Sequence, residues 1–258
     1  MTDISSQDQT SQMSMPCIER VRHELKRREL TVRSVEKLTP NMLRIALVGE
    51  DLADFLSASP DDHVKIFLPT AEGEPERRDY TPRRYDTAAR ELVLDFAVHE
   101  AGPATQWALE AQVGSRLSIG GPRGSAVISG VKHWILVGDE TALPSMGRRV
   151  EEAGPDETFT VIGAVTGSQE EQTFETAAQL RTIWVHRPLS AAANASDIIS
   201  VLNTVDIPAE TFAWIAAEAS VARAVRAYLT EGRNHPLPWL KAAGYWVQGL
   251  ADAHEKLD

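Results

Sequence analysis

The chain has 258 residues, 43% of them hydrophobic, and sets 26 basic against 37 acidic side chains for a formal charge of −11. That length suits one large domain or two ordinary ones with a substantial core, and the acidic balance argues against nucleic-acid binding. Cys17 is the only cysteine, which excludes an intrachain disulfide and thiolate zinc or iron–sulfur sites, and without a run of about 18 apolar residues no membrane insertion is expected.

Residues 1–16 are polar and read as a disordered tail, without the apolar core of a signal peptide. A cytoplasmic location is the default. Residues 17–28 read as a short charged helix, so 1–27 form an N-terminal extension. Leu30–Leu38 and Met42–Val48 alternate in polarity around Thr39-Pro40-Asn41, as an antiparallel hairpin does. Further strands are predicted at His63–Leu68, at the stretch Arg78–Arg83, at Glu91–His99 and at Arg116–Ile119. Leu92, Leu94, Phe96 and Val98 would share one face. Six short strands over 28–128 predict an antiparallel six-stranded β-barrel.

After Gly130 the pattern changes to apolar runs alternating with helical stretches, the mark of an α/β domain with a parallel sheet over 129–258. The runs are Trp134–Val137, Phe159–Val165, Thr182–His186, Phe212–Ala217 and Tyr245–Gln248. Helices are predicted near Ala142–Ala153, Thr176–Leu180, Ala195–Leu202 and Ser220–Thr230, with a charged C-terminal helix.

The stretch Arg78-Asp79-Tyr80-Thr81-Pro82-Arg83 suits a planar, phosphorylated ligand. Tyr80 can cover a ring, Thr81 can hydrogen-bond a ring nitrogen, and two guanidiniums can fork onto phosphate. A surface strand with solvated arginines explains the same residues. Gly102-Pro103-Ala104-Thr105 opens a helix with proline in its first turn and small residues that let a pyrophosphate approach; an ordinary capped helix is the alternative. Gly120–Ser125 either carries Arg123 toward phosphate or joins two domains. Gly138-Asp139-Glu140-Thr141 ends the first parallel strand, where α/β sheets bind ligands, but its acids would repel a pyrophosphate and cap a helix dipole instead. Ala216–Ser220 repeats that geometry. No metal-ligand spacing and no G-x-S-x-G elbow is present.

Together with Asp95–His99, Trp107-Ala108 and Gly244-Tyr245-Trp246, these motifs occur in the order found in siderophore-interacting proteins, and over about residues 28–250 the chain resembles that family of the ferredoxin–NADP reductase superfamily. The resemblance implies a flavin-binding barrel followed by a nicotinamide-binding α/β domain. It implies FAD held by Arg78, Tyr80, Thr81 and Arg83, with Val98, His99, Gly102, Pro103, Ala104 and Thr105 around its phosphates. Tyr80 and Thr81 would be the catalytic ring contacts, Thr81 tuning flavin N5. Gly138, Asp139, Thr141, Glu218 and Trp246 would complete the cofactor sites, with Thr141 and Glu218 near the nicotinamide. The implied reaction passes electrons from NAD(P)H, or a ferredoxin, through FAD to siderophore-bound Fe(III), with no acid–base pair needed.

An anionic ferric siderophore needs a basic pocket, for which Lys65, Arg148, Arg149 and Lys241 are the candidates. Val247 and Gln248 stand where basic residues commonly follow Gly-Tyr-Trp, which puts a strongly anionic siderophore in doubt. Acidic Glu170 and Glu171 disfavour a nicotinamide 2′-phosphate, while nearby Arg187 could offset them. Other readings are a general NAD(P)H:flavin oxidoreductase and a non-catalytic iron-delivery protein. A monomer is expected.

Overall fold

A computed structural model describes residues 15–68, 73, 75–98, 102–250 and 253–257. The N-terminal half is a curled antiparallel sheet. Its strands are β2 (Arg27–Thr39), β3 (Met42–Val48), β4 (Val64–Leu68), β5 (Glu76–Tyr80), β6 (Arg84–Asp86), β7 (Glu91–Ala97) and β8 (Arg116–Gly120). Their order is β5-β4-β8-β2-β3-β7-β6. Among the described residues the sheet thus has seven strands, where six were expected, and curls as a half-barrel. The extra strand, β6, is three residues long, too short to show an alternation. A helix, α1 (Pro103–Glu110), packs Ala104 and Ala108 against the core of Leu30, Ile45, Ile66, Leu94 and Phe96. Burying each of the large side chains contributes roughly 1.5–3 kcal/mol.

One expectation changes here. Residues 17–28 are not a helix: β1 (Cys17–Arg22) pairs antiparallel with β9 (Gly124–Ser129) along its whole length. Its charges suggested a helix, but β-branched Ile18 and Val21 suit a strand, and β9 supplies a partner. Strand β7 buries both faces, because Val93 and Asp95 are covered as fully as Leu92, Leu94 and Phe96.

The C-terminal half is a six-stranded sheet in the order β12-β11-β10-β13-β14-β15. It comprises β10 (His133–Asp139), β11 (Thr158–Val165), β12 (Gln179–His186), β13 (Thr211–Glu218) and β14 (Leu240–Trp246), all parallel, with the short antiparallel β15 (Glu255–Lys256) at one edge. Helices α2 (Leu143–Glu151), α3 (Ser196–Thr204) and α4 (Ala219–Ala227) cover it. Trp134, Leu136, Phe159 and Phe212 pack with α2, and Ile135, Val137, Ile162 and Ile215 with α3 and α4. Burial on both faces is why these strands read as continuous apolar runs.

Helix α2 approaches β10 so closely that a Cβ on Gly138 would lie 2.6 Å from the Met146 sulfur and 2.7 Å from Ala142. No helix forms at 176–180: Thr176 donates to the Val150 carbonyl, and β12 begins at Gln179. The predicted C-terminal helix is β15, paired with Ala243 and Gly244 of β14.

Candidate functional site

A cleft of about 2070 Å³ runs between the two halves, walled by β4, β5 and the start of α1 on one side and by the ends of β10 and β14 on the other. In an open α/β sheet the carboxyl ends of the strands are where ligands bind. The cleft lining carries more arginine and lysine than aspartate and glutamate, in a chain of net charge −11.

Antiparallel pairing of β5 with β4 sets Tyr80 opposite Val64 and Asp79 opposite Lys65. Tyr80 packs against Phe96 at 4.3 Å between ring centroids and lines the cleft. Burial pushes its phenol well above the ordinary value, so Tyr80 offers a neutral ring. Thr81 also lines the cleft. Its Oγ1 lies 3.0 Å from Ser145 Oγ on α2, which in turn lies 3.4 Å from Tyr245 Oη on β14. A line of three hydroxyls thus joins the two walls. Arg78 lines the cleft and pairs with Glu76 at 2.7 Å.

Gly102, Ala104 and Thr105 bring the start of α1 to the cleft. Pro103 takes the first turn, no side chain caps Gly102, and that turn holds no acid, so its positive end faces the cleft. The helix starts at the far wall differ. Asp139 is buried and accepts hydrogen bonds from Thr141 N and Oγ1, Glu218 N and Trp246 Nε1. Glu218 accepts from Ser220 N, Val221 N and Gln248 N. Glu218 caps α4 and Asp139 holds the turn before α2, so both serve the frame, while Thr141 and Trp246 line the cleft. Gly138 serves helix packing. Val98 donates its N–H to the Asn41 carbonyl and packs on the core. His99 lies outside the described residues.

Three of the expected cations are elsewhere. Arg83 is buried, donating to both oxygens of Glu151, from Nη1 at 2.7 Å, and lying 3.6 Å from Asp95; these bonds brace the two halves. Arg148 is 3% exposed and donates to Ser57, the Pro82 carbonyl and Glu152. Arg149 stacks 4.6 Å over Trp134, and burial lowers its pKa. Burial decides this, because α2 is packed on nearly every side. Lys65 and Lys241 do line the cleft, together with Arg123.

Lys65 donates to Asp79 at 2.8 Å, and Lys241 donates to Asp61. Asp61, Ser145 and Tyr245 carry no individual signal in the sequence. Tyr245 was visible within Gly-Tyr-Trp, but nothing in sequence links Asp61 to a lysine 180 residues away. Glu170 and Arg187 are both buried and already bonded. Glu170 is buried and accepts from Thr39 and Asn41, while Arg187 pairs with Glu140 at 2.8 Å.

The matches to known proteins follow the same division. A family model described as siderophore-interacting protein matches residues 131–249, and one described as siderophore-interacting FAD-binding domain matches 31–76 and 69–126. The chain belongs to the siderophore-interacting protein family. As a member of that family it is 32% identical over 251 residues to the NADPH-dependent ferric-chelate reductase of Escherichia coli, covering 88% of this chain and 96% of that one. A siderophore utilization protein from T. fusca superposes with a TM-score of 0.84 at 33% identity, over 94% of this chain and 98% of the other. The ferredoxin reductase of carbazole 1,9a-dioxygenase shares the fold, with a TM-score of 0.65 at 16% identity over 84% and 68%. The N-terminal half is an FAD-binding domain of this family, and the cleft chemistry fits that group: a flat ring, a hydroxyl, an arginine and an uncapped helix start.

Proposed function

We propose that this chain is an FAD-dependent ferric-siderophore reductase, drawing electrons from NAD(P)H to release iron as Fe(II). The observation that carries the reading is the single cleft in which Tyr80, Thr81, Arg78 and the α1 start face Thr141, Lys241 and Trp246. When bound, FAD supplies the conversion between a two-electron nicotinamide donor and a one-electron Fe(III) acceptor. Tyr80 contributes a ring face and Thr81 a hydroxyl held in place by Ser145. Arg78 and the start of α1 contribute positive charge for the pyrophosphate.

Hard-oxygen siderophores hold Fe(II) far less tightly than Fe(III), so reduction is itself the release step. The protein's task is to bring donor, flavin and chelate together. Lys65, Lys241 and Arg123 meet the chelate. NADPH as donor follows the E. coli relative. Both walls come from one chain, so a monomer carries a complete site. No helix among the described residues is long and apolar enough to cross a membrane, and we place the reaction in the cytoplasm, where NAD(P)H is available.

Anaerobic stopped-flow absorbance of the FAD-loaded protein tests this. NADPH or NADH should bleach the flavin band, and a ferric siderophore should restore it as Fe(II) appears in a chelator trap. A protein that cannot be loaded with FAD, or a bleached one that no ferric chelate reoxidises, would remove the proposal.

A further inference from the structure

Two of the cations facing the chelate site are already matched by carboxylates. Lys65 and Asp79 lie directly opposite on β4 and β5, and Nζ donates to Oδ1 at 2.8 Å. Across the cleft, Lys241 of β14 donates to Asp61 Oδ2, and Trp214 Nε1 donates to the same oxygen at 3.2 Å. All four charged residues line the cleft. Arg123 lines it too and has no ion-pair partner among the described residues. Arg20 and Arg22 on β1 also lack an ion-pair partner among the described residues but are exposed, where salt screens them. Past β14, Val247 and Gln248 add no charge.

The carboxylate bonded to each lysine offsets part of that lysine's attraction for a trianionic chelate. A neutral chelate is indifferent to both. Discrimination of this kind comes from a repulsive group set beside an attractive one. We propose that Asp61 and Asp79 are specificity-determining residues that limit the negative charge of the ferric chelate this cleft accepts. The proposal rests on the cleft being a ferric-siderophore site. Asparagine at either position keeps the shape and a hydrogen-bond acceptor, and it uncovers the lysine's charge.

The test is binding by the FAD-loaded protein of gallium(III) complexes, which match Fe(III) in size but are not reduced. One ligand is a hexadentate trihydroxamate giving a neutral complex, the other a hexadentate tricatecholate giving a trianion. Quenching of protein fluorescence reads the Kd of each at low and high salt. Asp79→Asn should tighten the trianion about tenfold and leave the neutral complex within about twofold, with the gain shrinking in high salt. Asp61→Asn should act in the same direction, and flavin content shows that both variants are folded. Equal shifts for both complexes, or no shift, would overturn the proposal alone. If neither complex binds the parent protein while FAD is retained, the proposal falls together with the reading of the cleft.

Discussion

Tyr80 and Thr81 show how much one strand end can decide. Tyr80 rests on Phe96, and Thr81 is held by Ser145, so the ring face and the hydroxyl are fixed before any ligand arrives. Removing the ring by Tyr80→Ala, or the charge by Arg78→Ala, should weaken FAD retention by at least tenfold. The ratio of flavin to protein absorbance after gel filtration reads this directly. Asp61 makes a different prediction, in pH. Burial pushes its carboxyl up, but the charge and hydrogen bond of Lys241, with Ser59, hold it at about 2 against an ordinary 3.8. A depressed folded pKa stabilises the protein above the unfolded pKa and loses that contribution as pH falls through the folded one. Asp61 should therefore add roughly 2 kcal/mol above about pH 4 that disappears toward pH 2. Denaturant titrations across that range should show a shallower acid limb for Asp61→Asn.

At the scale of the element, the close contact of α2 with β10 leaves no room for a side chain. A methyl group on Gly138 would meet Met146, Ala142 and the Ala216 carbonyl at under 3 Å. Gly138→Ala should cost about 1–3 kcal/mol, as overpacking does, seen as a lower Tm in the FAD-loaded protein. The hairpin of β2 and β3 and the buried runs of β10, β11 and β13 were legible because periodicity follows burial. The ribbon of β1 and β9 was not, because its pairing partners lie about 100 residues apart. Nor was the arginine pair of α2. A Lys/Arg-rich turn reads as exposed, and only the packed neighbours show that Arg148 is buried and that Arg149 lies over Trp134.

In the whole molecule, the halves are tied at several points. Arg148 reaches Ser57 and Pro82, Arg83 reaches Glu151, Glu170 reaches Thr39 and Asn41, and Lys241 reaches Asp61. Removing one partner of a buried ion pair or bonded charge costs about 3–5 kcal/mol. Arg148→Met should lower Tm while calorimetry still shows one transition, with flavin released as the protein unfolds. A split into two transitions would mean that the halves stand alone. None of these ties could be read from the chain, since each joins residues 66 to 180 positions apart.

They also set a limit on modular exchange. The two family models meet near residue 130, which looks like a natural seam for recombination. Yet Ser57, Pro82, Thr39 and Asn41 are halves of bonds whose other ends lie beyond it. A chimera joined at that seam keeps the full set of cross-bonds only if these partners move together, so for exchange the chain behaves as one unit even though its sheets are separate.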